Sequence, residues 1–219
     1  QRQMCIRDRP GDRKSLSAPA QQLLRHSRLP RPRRALETAE IPGVVAAFAQ
    51  AAKNAMAAGF DGVEVHGGNG YLIDQFLRSS TNQRSDAYGG SKENRARLLL
   101  EIIAAVTAAI GNDRVGLRLS PVTPFNDISD ADPQETFDYV VGELNRFDLA
   151  FLDILQGTGG VPQEQWLPFD YARLRAIYKG SLILNNGYDF APHVAVAAAD
   201  NVTIDTVNPV SYTHLRAHE

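Results

Sequence analysis

From residue 41 onward, stretches with helical spacing alternate repeatedly with short apolar runs that stop near Gly or Pro. That alternation confines the chain to α/β architectures, because strands separated by helices pair in parallel through crossovers. Residues 43–58 are alanine-rich and helix-forming, and they end at Gly59, a natural cap. A strand is expected at 62–66. Residues 92–110 read as a helix, with Leu98, Ile102, Val106 and Ile110 spaced by four and Gly111 as terminator. The next strand, 115–119, stops at Pro121. Asp132, Pro133 and Glu135 spell an N-cap, a proline at the first helical position and an acidic third residue, opening a helix that runs to about Arg146. A strand at 150–154, a turn with Gly157, Gly159 and Gly160, a helix around 169–178 and a strand at 181–185 follow. A helix at 191–199 and the beginning of one more strand at 202–204 complete the pattern.

A barrel and a doubly wound sheet both satisfy this alternation. Two features favour the barrel: no Gly-x-Gly-x-x-Gly opens a helix, and polar residues cluster after several strands rather than at one crevice. The expected fold class is therefore α/β, a partial (β/α)8 TIM barrel of four to five βα units. At 219 residues the chain is shorter than the typical whole barrel of about 250. Residues 10–40, with four prolines and many arginines, read as an extended excursion, and 41–209 as the barrel domain.

Both ends read as foreign. Residues 4–8 can be encoded by DNA whose reverse complement encodes residues 210–214, as expected of one adapter sequence read in both directions. Residues 1–9 and 210–219 are accordingly set aside as a scar, and the chain is expected to be a fragment of a longer gene. The single cysteine, Cys5, falls in the excluded stretch, so no disulfide or zinc argument stands on it. His26, His66 and His193 remain, isolated from one another, and no metal site is expected. The formal net charge of −2 favours neither nucleic acid nor an anionic membrane as partner. Ten of the Lys and Arg residues precede position 41, among prolines, and read as a solvated loop rather than a nucleic-acid patch. No run approaches the roughly 18 apolar residues of a membrane span. The absence of a cysteine framework fits a reducing compartment, and a cytoplasmic location is expected.

The chemistry concentrates at 59–71. There a short strand with Val63 and Val65 runs into a turn carrying His66, Gly67, Gly68, Asn69, Gly70 and Tyr71. In β/α proteins the loop after a strand's C-terminal end is where ligands collect. The glycines let backbone approach a flat ligand closely. His66 and Asn69 can each donate an N–H toward one acceptor, and Tyr71 adds a weak acid. That set suits stabilising a carbonyl oxygen while a proton is delivered nearby.

Residues 58–77 form a dense motif, Ala-Gly-Phe-Asp-Gly-Val-Glu-Val-His-Gly-Gly-Asn-Gly-Tyr-Leu-Ile-Asp-Gln-Phe-Leu. It continues through Asn82, Arg84, Asp86, Tyr88, Gly89, Gly90, Ser91, Glu93, Asn94 and Arg95 to the run 115–121. In these motifs the chain strongly resembles the old yellow enzyme family, the flavin-dependent ene-reductases. Phe125 and Asn126 and the stretch 32–45 fit more loosely. The resemblance implies a (β/α)8 barrel that binds FMN, takes NAD(P)H as reductant and acts on a small-molecule activated alkene. It implies that His66 and Asn69 bind the substrate's carbonyl or nitro oxygen and that Tyr71 donates the proton. Phe125 would line the substrate side. Arg118 would stand against the flavin's pyrimidine edge, with a salt bridge inside the barrel as the competing reading. Gly187 would bind the FMN phosphate through its amide, and Tyr188 beside it departs from the family's usual residue. The segment from Asn82 to Arg95 reads as structural, its charged residues pairing across a loop to anchor the next helix. The resemblance further implies flavin-contacting strands upstream of this sequence, and after Asn201 the expected phosphate-binding Gly-Arg pair does not appear. Two alternatives stay open: a related flavin barrel of the dienoyl-CoA reductase or amine dehydrogenase type, and a cofactor-free, inert half-barrel. The oligomeric state is left open as well.

Overall fold

In the computed structural model the described residues are 34–157, 167–185 and the backbone of 206–208. The chain divides into two compact units, 1–40 and 41–219. In the first, a 3-10 turn at Thr38–Glu40 is closed by a fork of Arg34 onto both carboxylate oxygens of Glu40, at 2.7 and 2.5 Å. Hydrogen bonding to that guanidinium holds the Glu40 carboxyl at about 2.

The second unit is a five-stranded sheet of β1 (Val63–His66), β2 (Val115–Leu119), β3 (Phe151–Leu155), β4 (Leu182–Asn185) and β5 (Thr206–Asn208). Every neighbouring pair is parallel and the order follows the sequence, β1-β2-β3-β4-β5. A doubly wound sheet reverses its strand order at a switch point; this sheet has no reversal, as the wall of a (β/α)8 barrel requires. The last strand lies at 206–208, beyond the expected 202–204, which fall outside the described residues, as does the helix expected at 191–199.

Helices α1 (Ile41–Ala57), α2 (Leu72–Leu77), α3 (Lys92–Ile110), α4 (Pro133–Leu144) and α5 (Tyr171–Ile177) connect or flank the strands. Their ends are set by local chemistry. After α1, the Phe60 amide donates to the Ala55 carbonyl and the Gly59 amide to that of Met56, with Gly59 at φ +89°, a Schellman closure. Ser91 caps α3, and Gly111 (φ +92°) ends it with an amide bond to the Thr107 carbonyl. The Asp132 carboxylate accepts from the Glu135 amide at 2.9 Å ahead of Pro133, and Asp170 accepts from the Arg173 amide to start α5. Helix α2, only six residues long, is not among the helices the sequence pattern predicts; it has no side-chain cap at Tyr71. Its stability comes from tertiary contacts, as for most short helices.

Because side chains alternate along a strand, the register sorts the sheet into two faces. Val65, Leu117, Leu119, Leu152, Ile154, Leu182 and Leu184 share one face and are buried. They form the core with Leu98, Leu99, Ile102, Ile103 and Val106 of α3 and Phe137, Val140, Val141 and Leu144 of α4. Glu64, His66, Gly116, Arg118, Phe151, Asp153, Ile183 and Asn185 share the opposite, inner face. Gly116 is required there, since a Cβ would sit 2.2 Å from the Phe151 ring. Among the described residues no helix is long and apolar enough to cross a membrane.

Phe137 is fully buried, lies edge-on to Phe169 at 6.5 Å and carries the Arg78 guanidinium 4.9 Å from its ring centre. Phe137→Ala is expected to lower stability by about 3–5 kcal/mol, seen as an earlier midpoint in urea unfolding. A loss below about 1 kcal/mol would place the core elsewhere.

Candidate active site

The turn after β1 sits against the C-terminal end of β2. The Gly67 amide donates to the Arg118 carbonyl at 2.8 Å, and the Asn69 amide donates to Oγ of Ser120 at 2.7 Å. Gly68 lies so close that a Cβ would stand 2.7 Å from the same hydroxyl oxygen. Gly70 has φ +73°, and a Cβ on it would meet the Phe125 carbonyl oxygen at 2.5 Å. The loop after β2 is thus packed directly on the loop after β1. Asn126 completes the join, its Nδ2 donating to the Asn69 carbonyl at 2.7 Å. Asn69 itself has φ +56°, a left-handed backbone that Asn tolerates better than most residues.

Beneath the turn lies a buried ion pair. Arg78 Nε donates to Oδ1 of Asp74 at 2.8 Å, one helical turn away, and both side chains are essentially inaccessible. The other nitrogens of Arg78 donate to the carbonyls of Pro121, at 2.5 Å, and Ser120. Oδ2 of Asp74 accepts the Gly70 amide at 2.9 Å and the Ser120 hydroxyl at 3.3 Å. One carboxylate and one guanidinium therefore tie α2, the turn and the end of β2 together. Sequence reasoning assigned neither residue a role. The available signal was an Asp and an Arg four apart in an otherwise apolar segment.

The turn brings three of the expected site residues together. The rings of His66 and Tyr71 meet edge to face, 5.4 Å between centres. Among the described residues neither nitrogen of His66, nor Nδ2 of Asn69, nor the hydroxyl of Tyr71 has a hydrogen-bond partner. Oδ1 of Asn69 is buried and also unpartnered. Burial, reinforced by the nearby Arg118 charge, lowers the His66 imidazole below its ordinary value, so the ring is neutral at neutral pH with one N–H to give. Tyr71 is 40% exposed and Phe125 is 45% exposed, both on the open side of these loops.

Arg118 stands opposite His66 and Asp153 in the sheet register. It is ion-paired with Asp153 at 2.6 Å and lies 3.6 Å from Glu64. Neither carboxylate figured among the sequence-predicted site residues, since each is embedded in an apolar strand. Burial pushes the Glu64 carboxyl up, with Arg118 opposing and Asp153 adding to the rise. Gly187 and Tyr188 lie outside the described residues. The loop from Asn82 to Arg95 is held by its own polar groups. Arg84 forks onto Asp86, Asn82 Nδ2 donates to the carbonyls of Phe76 and Tyr88, and Arg95 donates to the carbonyls of Leu77 and Gly90 and to Thr136. A groove of about 330 Å³ lined by Arg97, Glu101, Tyr139 and Glu143 lies on the outer helices and contains none of the turn's residues.

A sequence profile of the NADH:flavin oxidoreductase / NADH oxidase family matches residues 3–202. A probable flavin mononucleotide-dependent alkene reductase of Leishmania infantum is 48% identical over 176 residues, 79% of this chain and 46% of that protein. Among solved structures, morphinone reductase matches with a TM-score of 0.71 at 41% identity, covering 80% of this chain and 46% of its own. The old yellow enzyme homologue from Zymomonas mobilis matches with a TM-score of 0.73 at 39% identity, over 80% of this chain and 49% of that one. The chain thus spans about half the length of the relatives it matches.

For a flavin, the donor set fits at one end. The inner face offers the Nη1 amino group of Arg118, which has no acceptor among the described residues, beside a neutral imidazole and closely approachable glycines.

Two outcomes test this geometry. Arg78→Met strands a buried carboxylate and is expected to cost about 3–5 kcal/mol, whereas Asp74→Leu combined with Arg78→Met recovers much of that loss; equal losses would deny the pair its coupling. For His66, the folded-state value lies below the unfolded 6.5, so the unfolded chain binds the proton more readily. Its contribution to stability is present above the unfolded value and is lost as pH falls through the lowered one. Thermal melts at about pH 7.5 and about pH 5.5 should therefore show a smaller acid-induced drop in Tm for His66→Gln than for the wild type.

Proposed function

The chain belongs to the NADH:flavin oxidoreductase / NADH oxidase family, and from that premise we propose that it is part of an FMN-dependent, NAD(P)H-oxidising ene-reductase. The substrate class is α,β-unsaturated carbonyl or nitro compounds. One observation carries the reading: three side chains of a single turn, His66, Asn69 and Tyr71, have donor groups without a hydrogen-bond partner among the described residues, beside a strand-end arginine. Buried polar groups are seldom left without a partner, so the partly buried His66 and Asn69 side chains fit a ligand that would receive their donors.

Bound FMN would supply the hydride chemistry that links a nicotinamide to the substrate's conjugated bond. The chain's own residues do the rest. His66 and Asn69 donate to the substrate oxygen, draw electron density from the conjugated bond and stabilise the negative charge that grows on that oxygen. A neutral imidazole suits this, because it donates without carrying a full charge that would tighten ground-state binding. Tyr71 gives the proton of its phenol hydroxyl to the α-carbon. Phe125 supplies an apolar wall. Arg118 would hold the pyrimidine edge of the flavin and Gly187 its phosphate.

The test separates the two half-reactions in the chain reconstituted with FMN. Tyr71→Phe should slow alkene reduction by about 10²–10⁴-fold while flavin reduction by NAD(P)H stays within twofold of wild type. Equal slowing of both half-reactions, or of neither, would remove Tyr71 from this role. A purified chain that takes up no FMN, and so stays colourless, would overturn the flavin reading itself.

A further inference from the structure

The inner face of the sheet carries a charged cluster whose carboxylates the reaction above does not use. Nε and Nη2 of Arg118 both donate to Oδ2 of Asp153, at 3.0 and 2.6 Å. Oε2 of Glu64 lies 3.6 Å from the same Nε. Asn185 Nδ2 donates to Oδ2 of Asp153 at 3.5 Å. The register places Arg118 directly across from Asp153, and Glu64 two residues back from His66 on the neighbouring strand. The Asp153 side chain is only 2% exposed, and its Oδ1 has no hydrogen-bond partner among the described residues.

This arrangement has two physical consequences. The Nε–Nη2 edge of the guanidinium is committed to Asp153, so among the described residues Nη1 is the nitrogen left to meet a ligand. The cluster also sets two carboxyl groups against one cation, so Arg118 does not act as an isolated positive charge. An ion pair on a buried carboxylate is weak evidence for stability, since apolar replacements of buried pairs are often as good or better.

Resting on the FMN reading above, we propose that Asp153 is a positioning residue: it fixes Arg118 so that Nη1 meets the flavin, and it offsets the arginine's charge so that the reduced, more negative flavin is held less tightly. The pair thereby keeps the bound flavin a stronger hydride donor than a free arginine would allow. Glu64, farther away and partly exposed, contributes in the same direction and less.

The experiment compares wild type, Asp153→Asn and Glu64→Gln as full chains. FMN affinity is measured by quenching of flavin fluorescence, and the midpoint potential by dye-coupled reductive titration. For Asp153→Asn the reduced form should gain at least tenfold in affinity over the oxidised form, a rise of about 30 mV for a two-electron couple. Glu64→Gln should move the potential the same way by about threefold in that ratio, and it decides the matter alone if Asp153→Asn does not fold. A merely structural Asp153 would weaken both oxidation states alike and leave the potential in place. A wild-type chain that binds no FMN overturns this proposal together with the flavin reading. A chain that binds FMN, with a potential that neither variant raises, overturns this proposal only.

Discussion

The buried pair of Asp74 and Arg78 is the constraint on which the geometry of the turn rests. Its atoms are spent on backbone: the carboxylate takes the Gly70 amide and the guanidinium takes the carbonyls of Ser120 and Pro121. Those are the groups that a strand leaves unpaired as it breaks into a loop, and unpaired backbone groups in a buried place are costly. The pair therefore does for two loop beginnings what a ladder does for strands. Its net contribution to stability is modest by the usual reckoning, because both charges had to leave water. What it supplies is definition. With Asp74 fixed from both sides, Gly70 and Ser120 have one arrangement, and Ser120 in turn fixes the Asn69 amide.

Around that frame the polar groups fall into two kinds. Asp74, Arg78, Asn82, Arg84 and Arg95 point their hydrogen bonds inward, into the chain's own backbone and side chains. His66, Asn69 and Tyr71, a few residues away in the same turn, have side-chain donors without a partner among the described residues. Arg118 belongs to both kinds, with one edge committed to Asp153 and one amino group without an acceptor among the described residues. The neutrality of His66 follows from the same neighbourhood, since burial and the Arg118 charge act on the imidazole together.

Much of this was legible in the sequence because it is written in local signals. The Asp132, Pro133 and Glu135 start, the Gly59 and Gly111 stops and the leucine and isoleucine spacing of α3 report on residues a few positions apart. The turn was legible too, since glycines interleaved with His66, Asn69 and Tyr71 mark a place where bare backbone and polar side chains crowd together. The order of the strands followed less directly, from the absence of a dinucleotide motif. Helix α2 was missed because six residues give too few turns for a period to emerge. Asp74 and Arg78 were passed over because an Asp and an Arg four apart carry no local sign of whether they are buried. Asp153 and Glu64 were overlooked for a related reason: in a strand, a single charged residue between apolar ones reads as the solvent side. Only the register shows that this side is the inner wall and that Arg118 stands between them.

The unbroken strand order bears on how such a chain acquires its structure. Each strand after the first pairs with the strand that precedes it in the chain. Pairing with the preceding strand closes a shorter loop than joining distant strands would, although parallel pairing across tens of residues is still a slow kind of contact to form. A ribosome delivering this sequence would therefore release it in an order that matches its assembly, every new βα unit docking on a wall already in place.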